Sequence, residues 1–176
     1  MVWGASSSTG ALFLQIARAA GVKTIAVASA SNHELCKSHG AAAAIDYRQS
    51  SAVNDVAAAV KSTGGQFVGV IDCVSSADAS VPHCLSVLKQ LGGGELGLLL
   101  PDMRLETPEN IHVTNIFGLN EITHQFWKDY LTPALEQGRL KCAPESLVVG
   151  DGLESLQKAL DVQKKGVSAK KVVVTL

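Results

Sequence analysis

The chain has 176 residues, of which 47% are hydrophobic and 18% charged, and its formal net charge is −1. This composition is typical of a single globular domain, and the near-neutral charge argues against nucleic acid or an anionic membrane as the main partner. The sequence shows neither an apolar run of membrane-spanning length nor a basic segment followed by an apolar one at the N-terminus. The expected location is therefore the cytoplasm.

Cysteine and histidine spacing gives no sign of a metal site. The four cysteines and five histidines include no C-x-x-C pair and no H-x-x-x-H pair. We therefore expect neither a zinc site nor a redox pair, and we interpret the cysteines as buried or incidental free thiols.

Strand and helix patterns alternate from the opening residues to Pro101. After the opening turn, the predicted order is helix 12–20, strand 23–30, helix 31–41, strand 42–47, helix 51–65, strand 66–73, helix 76–94 and strand 95–101. Repeated β-α units of this kind require parallel strands joined by right-handed crossovers, with helices on both sheet faces. The fold class is therefore predicted to be α/β, a doubly wound parallel sheet of the Rossmann type, in one domain over residues 1–176.

The remainder of the chain is less regular. Residues 102–120 are predicted to be irregular and polar, helices are predicted at 121–137 and 153–165, and the last predicted strand is KKVVVTL. A lone histidine in an irregular segment is more often a surface residue than a general acid. We therefore nominate no catalytic residue from the polar candidates in or beside this segment, which are Asp102, His112, Asn115 and His124.

The opening stretch MVWGASSSTG places a loop rich in serine between a short strand and an apolar helix. Phosphates bind at this position in open α/β sheets, because the helix N-terminus offers unpaired N–H groups and a positive dipole end. The glycine spacing is G-x-x-x-x-x-G instead of G-x-G-x-x-G, but the position favours a pyrophosphate site. The alternative is a serine-rich N-cap that serves only the helix. The predicted cofactor-binding residues of this loop are Gly4, Ser6, Ser7, Ser8, Thr9 and Gly10.

The end of the second predicted strand carries no acidic residue. NAD sites place an Asp or Glu there to hold the ribose hydroxyls, whereas this chain has Ala28 to Asn32, reading ASASN. Ser29 and Asn32 leave room for a 2′-phosphate, so NADPH is the predicted cofactor and NADH is less favoured. The alternative is that Ser31 and Asn32 cap the following helix, and both roles are compatible.

Several segments together resemble the medium-chain dehydrogenase/reductases: VWGASSSTGALFLQIARAAG, AVASASNHELCKSHGA, IDYR, VIDCVSS and GVSAKKVVVTL. The chain is most similar to the zinc-free quinone-oxidoreductase-like branch, and within it to fungal enoyl reductases that act in trans with polyketide synthases. This resemblance implies NADPH-dependent reduction of activated carbon–carbon double bonds, without zinc. It also implies a small-molecule or carrier-bound polyketide-like substrate, with a polyketide synthase as a partner.

The resemblance also implies site residues. The phosphate loop of the family falls on Gly4, Ser7 and Gly10, with Ser7 in place of a glycine. Ser29 matches a residue that contacts the 2′-phosphate, and Asn32 stands where quinone reductases often carry a lysine. The matched positions that line the adenosine and nicotinamide ends are Tyr47, Cys73, Leu98, Leu99 and Leu100.

One departure from the family concerns the catalytic domain. Relatives carry a GroES-like catalytic domain ahead of this one, residues 1–3 match only part of the first strand, and residues 140–176 match the segment that returns toward that domain. We therefore expect cofactor binding with weak or no turnover, and a neighbour, a dimer partner or an altered N-terminal arrangement covering the first strand. The segment GGGELGLLLP resembles an apolar edge used to pair sheets, so a homodimer is left open.

Two other classes of function stay open. The chain could be a shortened pseudo-reductase that acts without cofactor as a cyclase, isomerase or accessory protein, or a binding module without chemistry. The sequence has no G-x-S-x-G elbow, which argues against acyl transfer. A cofactor-binding domain of an enoyl reductase remains the main hypothesis.

Overall fold

A computed structural model describes residues 1–101, 105–118 and 121–176, so Asp102 lies outside the described residues. The strands are β1 (Val2–Trp3), β2 (Thr24–Val27), β3 (Ala41–Ile45), β4 (Val70–Asp72), β5 (Gly94–Leu98), β6 (Ile111–Asn115), β7 (Glu145–Asp151) and β8 (Lys170–Thr175). The helices are α1 (Ser8–Ala19), α2 (His33–Ser38), α3 (Ala52–Ser62), α4 (Val81–Gln90), α5 (Glu121–Phe126), α6 (Thr132–Glu136) and α7 (Leu156–Lys165). Single turns of 3-10 helix at Ala30–Asn32 and Leu153–Ser155, and of π-helix at Trp127–Leu131, precede α2, α7 and α6.

Within the described segments, six strands form one parallel sheet in the order β3-β2-β1-β4-β5-β6. Strands β2 and β3 are added in turn on one side of β1. The chain then crosses over to β4, and β4, β5 and β6 are added in turn on the other side. This confirms the doubly wound class predicted from the sequence. The carboxyl ends of β1 and β4 meet at the point where the strand order reverses, which is where ligands bind in such sheets.

The short strand β1 lies at the centre of this sheet. Val2 pairs with Ala26 on one side and Ile71 on the other, and both Val2 and Trp3 are buried. These two residues pair with both β2 and β4, so β1 links the two halves of the sheet. At the opposite end of the strands, an apolar groove of about 450 Å³ opens beside Met1, between α1 and the strands β4 to β6.

Apolar residues cover both faces of the sheet. The α4 sequence VPHCLSVLKQ buries Val81, Cys84, Val87 and Leu88, a spacing that puts them on one side of a helix. This side of α4, together with α3, packs on one face of the sheet, where it contacts Val27, Leu96 and Leu98. Helices α1 and α2 cover the opposite face with Leu14 and Cys36. The helices fix the strand ends, and thereby the loops that follow them.

Two sequence predictions about the sheet were wrong. Residues 102–120, predicted to be irregular, contain β6, which pairs with β5 over its whole length. Of the β6 residues only Ile111 is buried, so this outer strand lacks the apolar run of a buried strand. The segment 92–101 is not an edge, because its strand β5 lies between β4 and β6 and has a partner on each side.

The C-terminal part contains a second, two-stranded sheet. The predicted last strand exists as β8, but it pairs in parallel with β7, which was not predicted, in a two-stranded sheet of its own. The predicted helix 121–137 is helical as α5, the π turn and α6, and Leu131 and Ala134 pack toward Leu12 of α1. Among the helices of the described ranges, none is both long and apolar enough to cross a membrane.

Candidate cofactor site

A cleft of about 640 Å³ opens at the carboxyl end of the sheet, next to the ends of β1 and β4. It is lined by the first loop, the end of β2, the residues after β3 and β4, the first turn of α4 and the segment before β8. The lining residues are Trp3, Gly4, Ser6, Ser7, Ala28, Ser29, Asn32, Tyr47, Arg48, Val74, Ala79, Ser80, His83, Val167, Ser168 and Ala169.

The first loop leads into helix α1, and its residues Gly4, Ser6 and Ser7 line this cleft. Gly4 adopts a φ of 69°, and the Ala5 amide donates to the Val27 carbonyl, which anchors the loop to β2. Ser7 is the N-cap of α1, where its Oγ accepts from the Gly10 amide at 3.1 Å. The N–H groups of the first helical turn have no intrahelical partners and lie at the positive end of the helix dipole. The loop therefore both caps the helix, as the alternative proposed, and suits an anionic group.

The lack of a side chain at Gly10 allows α1 to pack closely against the first loop. A Cβ atom at this position would lie 2.4 Å from the Gly4 carbonyl oxygen and 2.7 Å from the Ala5 Cα, both of which are backbone atoms. Gly10 is buried and does not line the cleft. Its role is to let α1 approach the turn that follows β1.

Asn32 joins three parts of the cleft wall through one buried amide. Its Nδ2 donates to Ser29 Oγ at 3.0 Å, to Ser168 Oγ at 3.0 Å and to Ser6 Oγ at 3.2 Å. An amide nitrogen has two hydrogens, so these three acceptors share them. Asn32 makes no side-chain cap bond to α2, so its side chain serves the cleft and not the helix.

We expect Asn32→Leu to lower the free energy of unfolding by about 1–2 kcal/mol, because three serine hydroxyls lose their shared donor in a buried place. Denaturant unfolding followed by circular dichroism measures the effect. The matched control is Asn54→Ala on α3, where the lost bond to Gln90 is exposed, and the change is expected to stay within about 0.5 kcal/mol. Equal losses in the two variants would contradict the proposed role of Asn32.

Arg48 is the only Lys or Arg among the described residues that line the cleft, and no Asp or Glu lines it. Its guanidinium lies 5.6 Å from the centre of the Tyr47 ring. Interaction with Tyr47 raises the pKa of Arg48, so the side chain stays protonated. Sequence reasoning missed Arg48, although it directly follows Tyr47 in the IDYR segment.

The structure brings together six of the residues predicted from the sequence and leaves seven outside the cleft. Those in the lining are Gly4, Ser6, Ser7, Ser29, Asn32 and Tyr47. Those outside it are Ser8, Thr9, Gly10, Cys73, Leu98, Leu99 and Leu100. Apart from Arg48, sequence reasoning did not assign nine of the lining residues to the site: Trp3, Ala28, Val74, Ala79, Ser80, His83, Val167, Ser168 and Ala169.

A hydrogen bond connects the residues that follow β4 to those that follow β5. The buried Asp72 accepts from the amides of Val74 and Ser75, and Ser75 adopts a φ of 53°. Ser75 Oγ donates to the Asp72 carbonyl and accepts from the Leu99 amide at 2.8 Å. This connection places Val74 in the cleft wall, while Leu98 is part of the core and Leu100 is exposed.

Burial lowers the reactivity of three of the four cysteines, because it raises the pKa of their thiols. Burial raises the pKa of Cys36 to about 11, and burial with the nearby Asp72 raises the pKa of Cys73 to about 12. Burial also raises the pKa of Cys84 well above its usual range. Cys142 is exposed.

A thiol reagent at pH 8 is therefore expected to label one cysteine quickly, because Cys142 is the one exposed thiol of the four. Labelling with Ellman's reagent measures this. Cys142→Ser should abolish the fast phase, and denaturant should release the three slow thiols. A second fast thiol in the native chain would contradict the structure.

The residues present do not fit a zinc ion. In the described part of the chain, no three His, Cys, Asp or Glu side chains lie together in a group that could hold a metal. Cys36 and Cys84 are buried on opposite faces of the sheet, and Cys142 is exposed.

The sheet order, the cleft at the strand reversal and the open N-terminus of α1 define a dinucleotide-binding type of α/β domain. The chain belongs to the zinc-binding dehydrogenase family, which matches residues 9–124. This confirms the resemblance to the cofactor-binding part of medium-chain dehydrogenase/reductases. The family bears zinc in its name, but the part of this chain that the structure describes lacks a ligand set for it.

Similar proteins cover the whole chain. It is 42% identical to the dehydrogenase orsE of Emericella nidulans over 176 residues, covering 100% of this chain and 50% of that protein. It is 32% identical to the trans-enoyl reductase himH of Aspergillus japonicus, covering 100% of this chain and 52% of that protein. A structure of CurA from Vibrio vulnificus in complex with NADPH has the same fold, with a TM-score of 0.67 and 18% identity over 99% of this chain and 55% of that one.

The chain spans about half the length of the curated relatives it matches. Its fold, its family and these relatives identify it as an NAD(P)-binding type of domain homologous to fungal trans-enoyl reductases.

Proposed function

We propose that this chain binds NADPH and serves as the cofactor-holding part of an enoyl reductase. The observation that carries the proposal is the cleft wall, which combines Ser6 and the α1 N-cap Ser7, the Ser29–Asn32 corner and Arg48, with no acidic residue among the described lining residues. An Asp or Glu at the end of β2 would hold the ribose 2′-hydroxyl of NADH and repel a 2′-phosphate. Here that position favours the phosphorylated cofactor.

The residues of the cleft fit the parts of the cofactor. The first turn of α1, with Ser6 and Ser7, would receive the pyrophosphate, and Ser29, Asn32 and Arg48 would hold the 2′-phosphate. Quinone reductases often carry a lysine at the position of Asn32. In this chain, Arg48 would supply the positive charge instead. When bound, NADPH supplies a hydride for reduction of an activated carbon–carbon double bond.

The protein contributes binding and orientation of the cofactor, and the chain spans about half the length of its curated relatives. Efficient hydride transfer needs substrate and nicotinamide held close together with water excluded. We therefore propose that the chain alone binds NADPH but turns over an enoyl substrate weakly or not at all. The proposed substrate class is an α,β-unsaturated carbonyl compound, free or carried by a polyketide synthase, in keeping with the name of the Aspergillus japonicus relative.

Calorimetric titration of the chain with NADPH and with NADH tests the proposal. We expect one saturable site per chain, with NADPH bound more tightly than NADH. Absence of binding at millimolar NADPH would overturn it. Incubation with an enoyl thioester, with and without NADPH, then separates the alternatives, because a product that forms equally without cofactor would favour the cofactor-independent function.

A further inference from the structure

Two aromatic rings form a wall of the cleft that neither the pyrophosphate nor the 2′-phosphate uses. The ring of Trp3, at the end of β1, and the imidazole of His83, in the first turn of α4, have centroids 5.3 Å apart at an interplanar angle of 28°. Both residues line the cleft. Trp3 is 5% exposed and so cannot swing away, which gives His83 a fixed surface to stack on.

A second contact sets the tautomer of His83. Its Nδ1 lies 2.7 Å from the carbonyl oxygen of Ala79. A carbonyl only accepts, so Nδ1 carries the hydrogen and donates. In the neutral ring, Nε2 then keeps its lone pair and is an acceptor. Within the described segments no residue bonds this nitrogen, so it is available to a ligand in the cleft.

The rest of this wall offers little other polar chemistry. Ser80 Oγ already accepts from the Ser76 amide at 2.9 Å, and Val74 and Ala79 are apolar. The wall therefore presents flat and apolar surface with one free acceptor at its rim. A purine with an amino group has the complementary chemistry, because it combines an aromatic face with N–H donors at one edge.

We propose that His83 is a specificity-determining residue that recognises the adenine of NADPH. Its Nε2 accepts a hydrogen bond from the 6-amino group, and Trp3 holds the imidazole in place for it. The inference rests on the proposed function, since the phosphate-binding parts at α1 and Arg48 leave this wall of the same cleft for the base. Hypoxanthine, which carries an oxygen in place of the amino group, would set its carbonyl against the lone pair of Nε2 and be disfavoured.

The test compares NADPH with its deaminated analogue, nicotinamide hypoxanthine dinucleotide phosphate. The chain has two tryptophans, so a Trp127→Phe background leaves Trp3 as the only indole to report binding by fluorescence. We expect this protein to prefer NADPH over the analogue by about ten-fold in dissociation constant. His83→Phe keeps a stacking ring but removes Nε2, and it should bring the ratio close to one. His112→Phe, on the exposed strand β6, is the matched control and should keep the ratio unchanged.

Each outcome decides the proposal. Binding of both dinucleotides with equal affinity by the protein with native His83 would overturn the role of His83 and leave the proposed function intact, and this measurement does not depend on any His83 variant folding. An unchanged ratio in His83→Phe would also overturn it, as would an equal weakening for both ligands, which would mean a merely structural role. Failure of the unmodified chain to bind NADPH would overturn the proposed function and this inference together.

Discussion

Gly10→Ala is expected to lower the free energy of unfolding by about 3 kcal/mol, at the upper end of the range for overpacking. The added Cβ would stand 2.4 Å from the Gly4 carbonyl oxygen and 2.9 Å from the Ala5 carbonyl carbon. Neither can move freely, because the Ala5 amide donates to the Val27 carbonyl of β2 and the Gly4 carbonyl accepts from the Ser7 amide. A loss of this size lowers the melting temperature of a chain of this length by about 6–12 °C, which differential scanning calorimetry measures.

Gly65→Ala is the matched control for this substitution. A Cβ at Gly65 would meet no atom within 4 Å, and its φ lies outside the left-handed region. We expect a change of less than about 0.5 kcal/mol, or a slight gain from reduced freedom of the unfolded chain. If Gly10→Ala were as well tolerated as Gly65→Ala, the close approach of α1 to the first loop would be contradicted.

Arg48→Ala is expected to weaken NADPH binding by about ten-fold or more while leaving NADH binding nearly unchanged, because charge-assisted bonds to a phosphate are the strong ones. The difference should shrink as salt rises, since Arg48 is exposed. Calorimetric titration of both cofactors at two ionic strengths measures the effect. We expect the ratio of the dissociation constants for NADPH and NADH to change, and we do not expect an equal loss of affinity for both cofactors.

Arg139→Ala controls for loss of an arginine beside a tyrosine. Arg139 lies 5.8 Å from the Tyr130 ring centre, almost the same arrangement as Arg48 on Tyr47, but it does not line the cleft. It should leave both affinities unchanged. If the two cofactors lost equal affinity in Arg48→Ala, Arg48 would not be the residue that distinguishes them.

The main sheet could be predicted because its inner strands are short apolar runs and the helices between them carry clear stop signals. Thr24–Val27 is fully buried and is followed by a helix that ends ahead of Gly40. The outer strand β6 could not be predicted in this way. Four of its five residues are exposed, so the pairing with β5 is visible only in the tertiary structure.

The site could be predicted in part for the same kind of reason. The first loop and Ser29–Asn32 are contiguous with the strands that position them, so their place in the cleft follows from local order. Arg48 could have been predicted, because it directly follows Tyr47 in the sequence. His83 and Ser168 were not, since α4 and the segment before β8 reach the cleft only through packing of distant parts of the chain.

The hydrogen bond from Asn32 to Ser168 links the C-terminal sheet to the cleft. Ser168 lies just ahead of β8, which pairs with β7, and the same Asn32 amide reaches Ser6 of the loop that lines the cleft. If the cleft holds a cofactor as proposed, a protein that packed on the β7–β8 sheet and shifted Ser168 would change the affinity of the cleft for it. By thermodynamic reciprocity, the cofactor would change the affinity for that protein by the same factor. One amide thus makes the segment before β8 and the first loop respond to the same occupant of the cleft.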